Sequence, residues 1–452
     1  MMTETPVPQT DREAFIHTLT EQMDGRGPDA MLSKHAKMAS APFLFFRGSA
    51  HLFYADLAAK HVSLPEALHT LPLTCVVGDC HTANFGFMTE EGSHGDEVIF
   101  APNDYDDACV GHAGWDILRF MVSVMLAKDH CQGIKSGKYH SEKNTTNKPT
   151  IDEDHAFLAL DAFIDGYLMV IQRVHDDPAT LDDAVDDIVP GTRLHKYYRK
   201  ACERAAGGPD FLTKSALAKA VQMGEEGLGF RRNSEKFSPL ASHYYQEVYK
   251  AFSPYMDEDV IDIVERNQAG TGSNNLKRFY FLVGPSKPHN EESFARSHIV
   301  EVKQQREAAP LAFFPNLTPV NRLNPAHLTA RCQRKMQRRP DLLLDEVEWQ
   351  DHHWLVRSRH HARVCISPED IGIGNRSVEG GFVDFAQLCG ESLALAHARG
   401  DRRSVSFEHR VLKTLADCRD ELIDTATAYA NQVIQDHESW LTMLKGDSKK
   451  GN

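Results

Sequence analysis

The chain has 452 residues, 41% hydrophobic and 25% charged, which excludes wholesale disorder and leaves room for two or three units of roughly 150 residues. Fifty Lys plus Arg against 64 Asp plus Glu give a net charge of −14, and that balance argues against general nucleic-acid binding, which needs cations to neutralise phosphates. Nine scattered cysteines without a CxxC pair read as reduced thiols. The N-terminal MMTETPVPQTDREAF lacks a basic patch followed by an apolar run, and no stretch reaches the roughly 18 apolar residues of a membrane span. A cytoplasmic protein with no membrane partner is expected, and a local basic pocket for a nucleotide remains compatible with the acidic total.

In chain order, Asp11 to Met23 has helical spacing, and Ser33 to Met38 leads into Phe43-Leu44-Phe45-Phe46. Leu73 to Val77 reads as a short strand followed at once by Gly78-Asp79, and Val98-Ile99-Phe100 as a second strand. Trp115 to Ala127 reads as a buried helix, and residues 133–150 as a polar surface loop. Helices are expected near 153–175 and 212–224. Beyond residue 256 the texture turns β-rich, with Ile261 to Glu265, Arg278 to Val283 and His298 to Lys303 as strands. A helix is expected at 326–338, another strand within Trp349 to Val364, and helices at Phe382 to Ala398 and Ser406 to Leu444. This gives residues 1–255 as a helical part, 256–365 as a β-rich part and 366–452 as helices returning to the first.

The densest chemistry lies in Gly78-Asp79-Cys80-His81-Thr82-Ala83-Asn84, followed by Asn103-Asp104-Tyr105-Asp106-Asp107. Individually such residues cap turns, but turn chemistry does not require Gly-Asp-x-His-x-x-Asn. If the strands before each segment form a hairpin, Asp79, Asn84, Asp104 and Asp106 converge at one end. Magnesium takes hard oxygen ligands, with one or two carboxylates and the rest water or phosphate. Asn84 with Asp104, or with Asp106 as the alternative ligand, supplies that set. Asp79 is left to accept a hydroxyl proton, and His81 stands beside it as a second candidate catalytic group.

GDCHTAN resembles the catalytic loop HGDxHxxN of aminoglycoside phosphotransferases and related small-molecule kinases, with Val77 in place of the first His. NDYDDACVGHAGWD resembles the metal-binding segment that follows it in those enzymes. The resemblance implies Asp79 as the catalytic carboxylate, Asn84 and Asp104 as magnesium ligands, and Asp116 as a brace for the catalytic loop.

Ala269-Gly270-Thr271-Gly272-Ser273 lies between two β-like runs, where glycines let backbone amides approach phosphates. Lys303 lies on an alternating strand that places it on the same face as Ile299. In kinase-like enzymes a Gly-rich loop joins the first two strands and a third strand presents a Lys to the phosphates. Gly270, Gly272, Ser273 and Lys303 are therefore the expected nucleotide-binding residues. The Glu that would partner such a Lys is missing from the basic helix 326–338, and Glu307 is close to Lys303 in sequence. Asp79 precedes Lys303, the reverse of the usual kinase order, so both assignments together require a circular permutation.

Lys37-Met38, Pro42 to Gly48, Val77 to Gly86, Asn103 to Asp107, Trp115-Asp116, Ala269 to Ser273, Arg278 to Tyr280 and Leu393 to Arg399 together resemble the bacterial DUF2252 proteins. That match singles out Arg47 and His397 as further candidates. His352-His353 and His360-His361 do not build a zinc site, because adjacent strand residues point to opposite faces. The expected fold is α+β, a permuted kinase-like arrangement of a large helical lobe and a small antiparallel β lobe. The expected function is ATP- and Mg2+-dependent transfer to a hydroxyl of a small molecule or protein. Alternatives are a nucleotide-binding scaffold without turnover, a nucleotidyltransferase, and a metal-dependent hydrolase using Asp79, His81 and Asp106.

Overall fold

The computed structural model describes residues 9–445 apart from 144, 146, 226, 233, 268–275 and 287–288. It is a mixed helix and sheet protein with three apolar cores of consequence. The largest surrounds the helix Ala113–Ser136, most of whose residues are buried. That helix runs from the expected end at Ala127 on to Ser136, more than two turns further, and Gly137 stops it with a left-handed φ of 79°. Glu153–Asp176 starts at an Asp152 capping box and packs lengthwise on Phe382–Asp401. The two axes come close because glycines meet the opposite backbone. A Cβ on Gly166 would stand 2.5 Å from the Gln387 carbonyl, and one on Gly390 would strike that of Phe163.

Six antiparallel strands form the main sheet, in the order Asp345–Trp349, His352–Ser358, His298–Gln304, Arg278–Gly284, Asp259–Arg266 and Phe237–Pro239. The two-residue period sorts its faces. Val300 and Val302 join Phe279, Phe281 and Trp354 in a core under the helix Ser242–Phe252. Ile299 packs with Tyr280 and Leu282 on the opposite face, and Glu301 and Lys303 follow it along that side. Register places Lys303 opposite Arg278, and Glu301 between Tyr280 and Arg357. Charged residues thus fill one end of a face that is otherwise apolar.

Several expectations change. Leu73 to Val77 and Val98 to Phe100 do not pair with each other. Thr74–Val76 pairs with Cys109–Gly111, while Val98–Pro102 pairs with Phe85–Thr89, which also receives Arg363–Cys365. Phe85–Thr89 is buried at every position, so it lacks the alternation that marks a half-exposed strand. The helix expected at 212–224 is instead Phe211–Lys214 and Ala216–Ala220 followed by the strand Val221–Gly224. Ser215 ends the first piece and caps the second by accepting from the Ala218 N–H. The expected helix at 406–444 is two, Ser406–Thr414 and Arg419–Lys445. Trp349 to Val364 yields His352–Ser358 and Arg363–Cys365.

The first and last described helices meet. Arg12, on Gln9–Asp24, donates to Asp56 and to Asp436 of the helix Arg419–Lys445, at 2.5 to 2.9 Å. All three side chains are buried. No helix among the described residues is long and apolar enough to cross a membrane.

Candidate functional site

The Asp79 loop leaves the strand Thr74–Val76 and is fixed from beneath. Asp116, in the first turn of Ala113–Ser136 and with no exposed surface, accepts from the Val77 N–H at 2.6 Å and the Gly78 N–H at 3.0 Å. His397 stands behind it. Its Nε2 lies 3.1 Å from Asp116 Oδ2, and its Nδ1 lies 2.8 Å from the Tyr167 hydroxyl. With the Nε2 proton directed at the carboxylate, Nδ1 accepts from Tyr167, and the chain of hydrogen bonds closes. Gly78 has a φ of 82°, and a Cβ there would collide with the Asp107 carbonyl. Glycine is therefore required where the two acidic loops touch.

Asp79 itself is half spoken for. Arg119 Nε and Nη2 both reach its Oδ1, at 3.0 and 2.5 Å, while Nη2 also donates to the Phe46 carbonyl and the guanidinium lies over the Phe46 ring. Burial pushes the Asp79 carboxyl upward, yet Arg119 and His81 hold it well below the ordinary carboxylate value. Its Oδ2 lies 3.6 Å from His81 Nε2 and faces the cleft. Burial lowers the His81 pKa, against the pull of Asp79. Asn84 donates from Nδ2 to the Asp79 carbonyl at 2.9 Å, which leaves its side-chain oxygen uncommitted by that bond.

Across the cleft, Lys303 is 1% exposed and ion-pairs with Asp106. Gln305 Nε2 lies 3.5 Å and Arg357 Nη1 3.8 Å from the same carboxylate. Burial lowers the Lys303 pKa to about 7, with Arg357, Arg306 and Arg363 adding to the effect and Asp104 opposing it. Glu301 holds Arg278 at 2.9 Å and Arg357 at 2.8 Å, and despite burial these arginines keep its carboxyl far below the usual value. Asp107 takes the Arg306 guanidinium at 2.9 Å and the Ala309 N–H at 2.7 Å. The sheet face and the acidic loops therefore enclose one cavity of about 440 Å³, lined by Asp79, His81, Asn84, Asp104, Asp106 and Lys303 among others.

Six sequence-predicted residues thus meet in a single cleft. Gly270, Gly272 and Ser273 lie outside the described residues; the strands that flank them, Asp259–Arg266 and Arg278–Gly284, pair antiparallel. The partner of Lys303 is Asp106, 197 residues away, and not a helical glutamate; the helix Pro325–Met336 packs instead against the two outer strands. Arg119 was not singled out from sequence, although it stands three residues after Asp116, a spacing that puts both on one helix face. Among the described residues no three His, Cys, Asp or Glu side chains gather as a metal-binding group.

The chain matches a bacterial family described as "Uncharacterized protein conserved in bacteria (DUF2252)" over residues 26–443. No curated protein and no solved structure matches it. With more than nine-tenths of its length inside that match, the chain belongs to the DUF2252 family.

Proposed function

We propose that the chain is a magnesium-dependent, ATP-using phosphotransferase with a permuted, two-lobed kinase-like fold, acting on a hydroxyl acceptor. The observation that carries this reading is the shared cleft: Lys303, from the strand after the 259–284 hairpin, faces the Asp79, Asn84 and Asp104 loops. The element order supports the permutation. The Asp79 loop precedes the six-stranded sheet, and Phe382–Asp401 and Arg419–Lys445 return to the helical core.

Asn84 and Asp104 offer the hard oxygen donors that magnesium prefers, and few enough to leave room for water and phosphate. They would hold the ion, which would neutralise charge on the transferring phosphoryl group. Lys303 would turn from Asp106 to the nucleotide phosphates, with Gly270, Gly272 and Ser273 assigned the phosphate cradle on sequence alone. Asp79 Oδ2 accepts the acceptor hydroxyl proton while His81 and Arg119 fix the carboxylate. The acceptor oxygen then bonds to the γ-phosphorus, the bond to the β-γ bridging oxygen breaks, and ADP departs with that electron pair.

The test is thermal unfolding with ATP, with and without magnesium, on the wild type and Asp104→Ala. A ligand at 100 times its Kd adds about 2.7 kcal/mol of stability. A magnesium-dependent rise in Tm that Asp104→Ala removes is expected, and no rise in the wild type refutes the reading. A second reading, nucleotide binding without turnover, draws on the Lys303–Asp106 pair, which stands where kinases use a glutamate. It is distinguished by the absence of ATP consumption in a protein that still shows the magnesium-dependent shift.

A further inference from the structure

The nucleotide reading gives no role to Arg47, one of the cations that line the cleft. Arg47 sits at the end of the short helix Pro42–Gly48 and lines the cleft beside Asp79 and His81. Among the described residues it makes no hydrogen bond or ion pair, and its Nε is buried without a partner. Burial works against its charge, and the carboxylates that favour it, Asp79 and Asp104 foremost, act only through space. Lys303, Arg306 and Arg357 differ, since each already holds a carboxylate. Arg47 as a whole is half-buried, and a guanidinium whose buried Nε–H is unmet is costly unless a ligand completes it.

Position says which ligand. An acceptor hydroxyl must lie within hydrogen-bond reach of Asp79 Oδ2, so a cleft cation within electrostatic range of Asp79 is placed to meet the acceptor. Arg47 is one. Arg363 borders the same cleft from the strand Arg363–Cys365; one of its nitrogens donates to Asn103 at 2.9 Å, and its Nε is also buried and unpartnered. Cys365 follows on the same strand face, within electrostatic range of Arg47. Two guanidiniums that line one cleft, each with an unpartnered Nε, suit the fork geometry of an oxyanion.

Resting on the phosphotransferase reading, we propose that Arg47, assisted by Arg363, forms an anion subsite and that the acceptor is a small molecule bearing both a hydroxyl and a phosphate or carboxylate. The hydroxyl meets Asp79 while the anion is clamped by Arg47, which orients the acceptor for transfer.

The experiment is calorimetric titration of the full chain with inorganic phosphate, and separately with malonate, each in the absence and presence of saturating Mg·ADP. Phosphate or malonate is expected to bind with Mg·ADP already in place, and the tighter of the two names the oxyanion. Arg47→Met should weaken that binding at least tenfold and leave Mg·ADP affinity within about twofold, and Arg47→Lys should restore part of it. Arg363→Met, expected to weaken it less, serves as the second variant if Arg47→Met does not fold. The proposal is overturned if every anion that binds does so only in competition with Mg·ADP, if neither binds, or if the folded variants bind as the wild type does. Failure of Mg·ADP to bind counts against the phosphotransferase reading alone, because the anion titration without nucleotide is read independently.

Discussion

The two walls of the cleft are built on different principles. On the helical side, the Asp79 loop is held by backbone amides on Asp116, which is backed by His397 and Tyr167. Nothing there needs to move for chemistry. On the sheet side, charges are balanced against charges: Lys303 with Asp106, and Glu301 with two arginines. An ion pair can exchange one partner for a ligand of like charge, whereas the backbone amides on Asp116 cannot. The loop wall keeps geometry, and the sheet wall keeps charge available.

This contrast can be broken at defined points. The largest effect is expected from Asp79→Ala, which removes the proposed proton acceptor. Turnover should fall about a thousandfold or more, while the magnesium-dependent Tm rise persists; retained activity would remove Asp79 from the mechanism. Next, Asp116→Ala strands two amide donors and His397 in the core. Losing one partner of a buried charged network costs about 3–5 kcal/mol, read as a lowered denaturant midpoint, and a change under 1 kcal/mol would show that the loop is held elsewhere. Lys303→Met should do the reverse. Mg·ATP affinity is expected to fall about tenfold by titration, a change of about 1.4 kcal/mol, with the denaturant midpoint nearly unmoved. A large stability loss would make the sheet wall structural too.

The smallest effect is one of pH. His51 is buried, and burial together with Lys34 lowers its pKa to about 3, with Asp24 opposing. Between that value and the unfolded pKa of 6.5 the native state binds fewer protons than the unfolded state, so stability rises with pH in this window. It is present in full above pH 6.5 and is lost at up to about 1.4 kcal/mol per pH unit below it. The Tm should therefore drop between pH 6.5 and 5.5, and His51→Phe should flatten that decline. An unchanged slope would show that other buried imidazoles, such as His81 and His437, dominate.

The loop wall was legible in the sequence because its chemistry is local. Asp79, His81 and Asn84 fall within six residues, and their spacing is dictated by one turn. The Lys303 strand was legible through its two-residue period. What connects them was not. The Lys303–Asp106 pair spans 197 positions, and the Glu301–Arg357 pair depends on strand register, which no periodicity encodes. Phe85–Thr89 escaped because full burial erases alternation, and that omission led to the wrong partner for Val98–Pro102. Arg119 carries no motif of its own, and only its helix phase relative to Asp116 marks it in the sequence.

The contact between the first and last helices sets a clock on biosynthesis. Arg12 is made early, but its partner Asp436 follows 424 residues later. At about 5–20 residues per second, this guanidinium waits roughly 20–85 s for its second carboxylate, with Asp56, His61 and the Phe15 ring already made. The helix Gln9–Asp24 cannot seat finally until Arg419–Lys445 emerges, so the nascent chain carries an open seam while the 424 positions between Arg12 and Asp436 are made.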